Sequence, residues 1–320
     1  MNADGTYTPS TGNTPLLVKT KTPYQSMEKY SREMIDAMIG ADTFVSDYLQ
    51  ELLCEEKKTN SLQWYKKDKV AAMKKRRDTI DWLCGVGVNY GLQRSTIYRC
   101  IYYFDKLCSE KQVNVCHLQM IAAICLLIAI KWNEKEEKVP SLYKLSKSCN
   151  KQYSPNQFKP MEVKILDLLS FRLKVVLPID FVSYYIERGC VFPDDQLDGH
   201  CNLQVNKQTN VYLFKYAIFF LDVITQNYSF WQYLPSVVAV SVIVASRRAL
   251  RIEPYFNGQL TDLCKYHPSQ IKQCFDEIWS EYRSKYANDA KRAEKLQPHG
   301  LEHYFVDAQQ STHSQIRHSV

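Results

Sequence analysis

An unbroken apolar run extends from Ile121 to Ile130 and ends at Lys131, after which the chain becomes charged. Ten apolar residues are about half of what a membrane-spanning helix needs. A helix without a polar face must instead be surrounded by other helices. The run therefore predicts the buried central helix of a helical protein, and no association with a membrane is expected.

Other segments carry apolar residues at helical spacing. The stripe from Met27 to Glu56 predicts two short helices that are broken near Gly40. Ser154 and Pro155 are typical of a helix start, with a capping residue followed by proline at the first helical position. Further helices are predicted over residues 70–89, 94–108, 141–149, 208–226 and 235–248.

The pattern then repeats along the chain. Residues Ala129 to Lys131 match Ala245 to Arg247 at an offset of 116 residues, and Pro155 to Lys159 match Pro268 to Lys272 at an offset of 113. Two nearly equal offsets predict a duplicated helical unit of roughly 110 residues, which is an ordinary domain size.

These patterns divide the chain into five parts. Residues 1–26 hold little that could form a core and are predicted to be disordered. Residues 27–65 form a helical extension and a connector, residues 66–176 the first repeat, and residues 177–286 the second. The polar residues 287–320 are predicted to be a flexible tail.

Three Thr-Pro pairs, at Thr8, Thr14 and Thr22, lie in the N-terminal part. They fit the target sites of proline-directed kinases, and they equally fit the composition of a proline-rich linker.

Composition excludes several classes of protein. Apolar residues make up 45% of the 320, so a sizeable core can form, whereas the net charge of +7 is too diffuse to indicate a nucleic-acid binder. The 11 cysteines include no Cys-x-x-Cys pair, which is typical of reduced, buried thiols inside a cell. No phosphate loop, metal-binding motif or nucleophile motif is present, so we predict no catalytic residue, no metal and no cofactor.

The segment from Lys75 to Leu83 resembles the signature that runs Met-Arg-Ala-Ile-Leu-Val-Asp-Trp-Leu in mitotic cyclins. The arginine of that family falls on Arg76 and its aspartate on Asp105. The resemblance implies an all-α fold of two tandem five-helix cyclin-box repeats with an N-terminal helical extension. It also implies a structural ion pair between Arg76 and Asp105 that is buried or half-buried.

The same resemblance implies a kinase-binding site. The kinase-contacting lysine and glutamate of the family fall on Lys131 and Glu162, and Leu166, Phe171 and Leu173 complete the groove. A regulatory subunit is then expected, which activates a cyclin-dependent Ser/Thr kinase as a heterodimer in cell-cycle control and reaches protein substrates through that kinase. The nucleus and the cytoplasm are its expected compartments. Taken alone, Lys131 could simply interact with a helix C-terminus.

Pro160 lies two residues before Glu162 and removes a helix hydrogen bond. A kink at this position would turn Glu162 away from its expected direction.

The sequence departs from the apolar patch with which mitotic and S-phase cyclins dock Arg-x-Leu motifs. Because a polar floor cannot bury a leucine without leaving groups unsatisfied, we interpret the patch as vestigial. The positions that depart are Lys75, Asp78, Thr79 and Gly85, and those that remain are Trp82 and Gln119.

Two short motifs have competing interpretations. Leu52 to Glu56 fit the Leu-x-Cys-x-Glu motif that binds retinoblastoma-type pocket proteins, but their position after an amphipathic stripe favours a packed helix. Lys74 to Arg77 resemble a nuclear import signal, but Arg76 is assigned to the core and the segment is predicted to be helical.

Two other functions share this type of fold. A transcription factor IIB-like DNA-binding protein would carry a zinc ribbon before the repeats, yet Cys54 is the only cysteine before residue 84. A cyclin of a transcriptional kinase stays open as the alternative, because the sequence names neither the kinase nor its substrates.

Overall fold

The computed structural model describes residues 42–59, 66, 75–111, 113–197, 207–296 and 300–304. Residues Met1–Tyr48 and Leu49–Val320 form separate compact units. Of the first unit only the start of one helix is described. The predictions for residues 1–41, with Thr8, Thr14 and Thr22, and for most of the connector lie outside the described residues.

The described residues are predominantly helical, as the all-α prediction requires. The helices are α1 (Asp42–Thr59), α2 (Arg76–Asn89), α3 (Arg94–Glu110), α4 (Leu118–Asn133), α5 (Leu142–Ser148), α6 (Pro155–Leu168), α7 (Pro178–Arg188), α8 (Lys207–Thr225), α9 (Pro235–Ala249), α10 (Gly258–Cys264), α11 (Pro268–Lys285) and α12 (Ala287–Leu296). Short 3₁₀ helices cover Val115–His117, Glu136–Lys138, Tyr228–Gln232 and Leu301–Tyr304. Two strands, β1 (Gln196–Leu197) and β2 (Ile252–Glu253), pair in antiparallel orientation.

Helix α4 is the centre of the first repeat, and α2, α3 and α6 pack around it. Met120 and residues 122–130 are buried, while Ile121 is partly exposed. Each fully buried leucine or isoleucine contributes about 1.5–3 kcal/mol, so this helix supplies much of the apolar burial. The prediction of a buried central helix is confirmed except at Ile121.

The second repeat has the same order of helices. Helix α9 is central and packs against α7, α8 and α11. The fourth helix of each repeat, α5 or α10, has seven residues, and the fifth, α6 or α11, begins with proline. A glutamine side chain accepts the N–H of the preceding capping residue in both fifth helices, from Ser154 to Gln157 and from His267 to Gln270, at 2.7 Å each. The predicted duplication of a five-helix unit is confirmed.

Helix α1 is bound to the second repeat through Glu56, which is 3% exposed. Its carboxylate accepts hydrogen bonds from the backbone N–H of Ser236 at 2.6 Å and from the Ser236 hydroxyl at 2.8 Å. Leu52 is buried as well. The two ends of the Leu-x-Cys-x-Glu motif are therefore used within the fold, as the interpretation of a packed helix expects, and binding of a pocket protein stays an untested alternative.

The segment after residue 286 is folded where the structure describes it. Helix α12 buries Ala290 and Ala293, and Leu301 is buried in the 3₁₀ turn that follows. Glu294 accepts hydrogen bonds from the Trp279 indole at 2.8 Å and from Arg283 Nε at 2.9 Å. The prediction of a flexible tail is thus wrong for residues 287–296 and 300–304.

Candidate functional site

Lys131 and Glu162 form an ion pair at the surface of the first repeat. Lys131 lies in the last turn of α4 and Glu162 on α6, and the Lys131 Nζ lies 2.6 and 2.9 Å from the two carboxylate oxygens. Helix α6 continues past Pro160 to Leu168, so the expectation that Pro160 turns Glu162 away is wrong. The Lys131 side chain is 47% exposed and the Glu162 side chain 15%. Lys131 is therefore accessible to a partner, whereas the Glu162 side chain is largely covered.

An exposed apolar side chain follows each member of this ion pair in the chain. Trp132 follows Lys131 directly and is 50% exposed, and Val163 follows Glu162 and is 57% exposed. Leu166 is partly buried on the same helix as Val163. The sequence analysis did not single out Trp132 or Val163, although an aromatic residue directly after the apolar run could have indicated the first. Exposed apolar residues beside a charged pair are typical of an interaction surface.

The chain leaves α6 in a conformation that exposes Phe171. Ser170 and Phe171 both have φ of 52°, in the left-handed region that bulky side chains rarely adopt. Backbone N–H groups of these two residues donate to Asp167 and Leu166 carbonyls at 2.8 and 2.9 Å, which holds the turn. Phe171 is 63% exposed, and Leu173 beyond it is partly buried. Such conformations cost of order 1–3 kcal/mol each and are found at functional surfaces.

Glu134 holds the C-terminal end of α4, which carries Lys131 and Trp132, in place. One carboxylate oxygen of Glu134 accepts the Gln93 backbone N–H and the Thr96 hydroxyl, each at 2.7 Å. The other oxygen lies 2.7 Å from Lys138 Nζ. These bonds tie the end of α4 to the start of α3. Sequence reasoning missed this role, because Glu134 stands in a charged segment that reads as solvent-exposed.

The predicted ion pair between Arg76 and Asp105 is present and buried. Arg76 Nε and one terminal nitrogen lie 2.7 Å from the two Asp105 oxygens. Arg76 also donates to the carbonyls of Thr225 and Gln226 at 2.8 and 2.9 Å, and the Trp231 indole donates to Asp105 at 2.6 Å. The pair therefore joins the two repeats as well as α2 and α3.

Family models match both repeats of this chain. Residues 45–174 match the cyclin N-terminal domain, and residues 176–313 match the cyclin C-terminal domain.

The chain belongs to the cyclin family.

Individual relatives support the same assignment. Cyclin-J of Xenopus laevis is 28% identical over 229 residues, which are 70% of this chain and 58% of that protein. Cyclin-J-like protein of Mus musculus is 27% identical over 219 residues, covering 66% of this chain and 56% of the relative. G2/mitotic-specific cyclin-A of Hydra viridissima is 28% identical over 199 residues, which are 62% of this chain and 43% of that protein. This cyclin thus spans about half the length of the curated relatives that it matches, and family membership supports a regulatory role.

The second repeat of the cyclin has a buried arginine where the first has Lys131. Arg247 is fully buried, and two of its nitrogens lie 2.8 and 2.7 Å from the two oxygens of Asp195. The same guanidinium donates to the carbonyls of Cys190, Pro254 and Tyr255. Arg247 is therefore a structural residue, and it offers no charge to a partner.

The positions that the sequence analysis assigned to a docking patch are largely polar in the structure. Thr79 donates its hydroxyl to the Lys75 carbonyl at 3.0 Å, and Lys75 and Asp78 are exposed. The Trp82 indole donates to the Ser148 carbonyl at 3.3 Å. Gln119, in the first turn of α4, is partly exposed.

Candidate metal ligands, apolar helices and two of the less exposed cysteines can be described for the part of this cyclin that the structure covers. Within that part, His, Cys, Asp and Glu form no group of three or more that could hold a metal ion. The helices there are too short or too polar to cross a membrane. Burial raises the pKa of Cys84 to about 11 and of Cys108 to about 12, so neither thiol forms a reactive thiolate at neutral pH.

Proposed function

We propose that this cyclin is a non-catalytic subunit that binds and activates a cyclin-dependent Ser/Thr protein kinase in cell-cycle control. The proposal rests on one observation: Lys131 and Glu162 form an ion pair at the surface, and the residues that follow them in the chain, Trp132 and Val163, are exposed apolar side chains, as is Phe171 after the end of α6.

Stability does not account for this arrangement. An exposed ion pair contributes about 0–1 kcal/mol to folding, and exposed apolar groups contribute nothing until they are covered. A helix of a partner protein would supply the apolar surface that covers these groups. Its apolar side would cover Trp132, Val163 and Phe171, with about 25 cal/mol gained for each Å² of apolar surface removed from water.

The charged pair would then fix the register of that helix. Lys131 Nζ has three N–H bonds and can donate to a carbonyl of the partner in addition to Glu162. The Glu162 carboxylate has lone pairs left to accept a partner N–H. Leu166 and Leu173, which are partly buried, would complete the floor of the groove.

Activation follows from docking at this surface. When the regulatory helix of a kinase is moved inward, its glutamate meets the lysine that positions the nucleotide phosphates, and phosphoryl transfer becomes possible. The cyclin contributes no group to that chemistry, and protein substrates are reached through the kinase.

We place the complex in the nucleus and the cytoplasm. The basic run from Lys74 to Arg77 does not support import as one unit, because Arg76 is buried against Asp105. The relative from Hydra viridissima is named a G2/mitotic-specific cyclin, which favours a cell-cycle role over a transcriptional one.

The test is a binding and activity assay with a panel of purified cell-cycle and transcriptional kinases. The full chain is compared with Lys131→Glu and Glu162→Lys. Each variant places like charges together and reverses one contact, so we expect at least about tenfold weaker kinase binding, which equals 1.4 kcal/mol. Kinase activation should fall in parallel.

Lys164→Glu is the matched control. Lys164 is exposed on α6, two residues after Glu162 and thus on the opposite side of the helix. It should bind the kinase as wild type does. The proposal fails if wild type binds no kinase of the panel, or if Lys131→Glu binds as tightly as Lys164→Glu while both melt at the wild-type temperature.

A further inference from the structure

Helix α8 carries aromatic side chains at the surface of the second repeat. Tyr212, Tyr216 and Phe219 follow one another at spacings of four and three residues, which places them on one side of the helix. Tyr212 is 47% exposed, and the other two rings are partly exposed. Leu213 and Ala217 of the same helix are fully buried, so α8 meets the core with a different side. Three large rings are thus left within reach of another molecule.

Tyr286, directly after α11, extends this row of rings. Phe219 packs edge-on against Tyr286 and against Tyr216, with ring centres 5.1 and 6.4 Å apart and ring planes at 69° and 65°. Tyr286 is partly exposed and stacks on the buried Tyr282 at 5.5 Å. We call Tyr212, Tyr216, Phe219 and Tyr286 the α8 stripe. Because its rings meet at steep angles, the stripe has ridges and slots and is not flat.

The charges around the end of α11 are balanced. Arg283 and Lys285 lie in its last turn, and their nitrogens are 2.5 and 3.4 Å from carboxylate oxygens of Glu294 and Glu281. Asp289, near the start of α12, is exposed and adds a negative charge. A polyanion such as RNA is bound by clustered cations that neutralise its phosphates. The balanced charges therefore favour an uncharged ligand.

The tyrosine hydroxyls of the α8 stripe are available to a ligand. Tyr98 and Tyr103, in the first repeat, donate their hydroxyls to acceptors within the fold at 2.7 and 2.6 Å. The hydroxyls of Tyr212, Tyr216 and Tyr286 form no hydrogen bond with any residue that the structure describes. Each of them can donate to a carbonyl from outside.

Rings and free hydroxyls together fit a ligand in the polyproline II conformation. Such a segment has no internal hydrogen bonds, so its carbonyls can accept from tyrosine, and its proline rings pack between aromatic rings. One turn of it advances about 9.3 Å. Tyr212 and Phe219 are seven residues apart on α8, which is about 10.5 Å along the helix axis. Successive turns of the ligand can therefore meet both rings.

Lys215 supports the same side of α8. Its Nζ lies 5.2 Å from the centre of the Tyr212 ring, and its aliphatic stem adds apolar surface beside that ring.

We propose that the α8 stripe binds a proline-rich segment of another protein. Proline rings of this segment pack in the slots beside Tyr216 and Phe219, and its carbonyls accept hydrogen bonds from the tyrosine hydroxyls. This combination selects an extended, uncharged segment, and it disfavours a helical apolar segment or a polyanion.

The test is fluorescence anisotropy with the full chain and a labelled peptide of repeated Pro-Pro-Ala. Tyr212→Ser/Tyr216→Ser should bind this peptide at least about tenfold more weakly than wild type, because two of the rings that meet the ligand are removed. Tyr212→Ser alone, at an exposed position, should lower the affinity about threefold and leave the melting temperature unchanged. The matched control is Tyr143→Ser, which removes a 65% exposed ring from α5 and should stay within about twofold of wild type.

The contribution of the hydroxyls is measured separately. Tyr212→Phe/Tyr216→Phe keeps both rings and should lose about threefold in affinity, which corresponds to a neutral hydrogen bond. A peptide of repeated Ser-Ser-Ala, which has neither proline rings nor a fixed backbone, should not bind.

The proposal is overturned if wild type does not bind the proline peptide, or if Tyr212→Ser and Tyr143→Ser lose the same affinity. Equal binding of a peptide with leucine in place of proline would contradict it as well, because any apolar segment would then suffice. Tighter binding of a single-stranded RNA oligomer would assign the rings to base stacking instead. The measurement needs no kinase, and the four residues are separate from those of the kinase-binding surface, so either proposal can fail without the other.

Discussion

Lys131 and Arg247 occupy matching positions near the ends of the two central helices, yet their surroundings differ. Lys131 is half-exposed and forms an ion pair with Glu162. Arg247 is fully buried, and hydrogen bonds to Asp195 and to three backbone carbonyls use its donors. A rigid guanidinium with five N–H bonds can satisfy such a site, whereas an amine on a flexible stem suits an exchangeable contact.

Replacing Arg247 with Met should lower the free energy of unfolding by about 3–5 kcal/mol, because Asp195 would remain buried without its partner. Lys131→Ala should lower it by less than about 1 kcal/mol, because exposed pairs contribute little. Urea denaturation of both variants measures the difference. Equal losses in the two variants would contradict the structural role of Arg247.

At the scale of whole elements, α1 is held at the N-terminus of α9 by Glu56. The Glu56 carboxylate accepts the backbone N–H and the hydroxyl of Ser236, and the positive end of the helix dipole favours an anion there. Burial nevertheless dominates and raises the pKa of Glu56 above its ordinary value of 4.5, against the hydrogen bonds from Ser236 that lower it. The folded protein therefore binds this proton more tightly than the unfolded chain does.

The raised pKa of Glu56 makes its contribution to folding stability depend on pH. The contribution of Glu56 to stability is greatest below pH 4.5 and falls as the pH rises through the raised pKa. In Glu56→Gln the side chain at this position does not titrate. The unfolding free energy of wild type minus that of Glu56→Gln should therefore decrease as the pH is raised from about 4 to about 7. Urea denaturation across that range checks this, and a flat or rising difference would refute it.

Glu56→Ala serves as the companion variant. It leaves the Ser236 N–H buried without an acceptor and should cost about 1–3 kcal/mol at every pH.

At the scale of the whole chain, the two repeats are joined around one buried carboxylate. Asp105 of the first repeat binds Arg76 and the Trp231 indole, and Arg76 in turn donates to the carbonyls of Thr225 and Gln226. The Trp231 ring also packs edge-on against Tyr102, with ring centres 5.6 Å apart. The ion pair that the family resemblance assigned to two helices is thus also a contact between repeats.

Trp231→Phe keeps an aromatic ring but removes the hydrogen bond to Asp105. Because that bond involves a charged acceptor, the free energy of unfolding should fall by about 1.5–3 kcal/mol. Trp132→Phe, at an exposed position, should change it by less than about 0.5 kcal/mol. Hydrogen exchange in α8 should accelerate in Trp231→Phe alone, and similar behaviour of both variants would argue against an inter-repeat role for Trp231.

Local signals were sufficient for most elements. The start of α6 followed from Ser154 and Pro155, and the burial of α4 followed from its apolar run. Helix α12 was missed because its buried residues include Ala290 and Ala293, and small side chains in a polar segment give a weak periodic pattern. Its polar anchor, Glu294, has partners on another helix.

The sequence alone determined the all-α class, the duplicated unit and, through family resemblance, the positions of Lys131 and Glu162. Only the tertiary structure decided that Arg247 is buried, that Glu56 is engaged within the fold, and that Trp132 is exposed beside Lys131. Periodicity reports which side of a helix is apolar, but the fate of a charge depends on partners far away in the chain. Asp195 lies 52 residues from Arg247 and Glu56 lies 180 residues from Ser236, so no local pattern could have paired them.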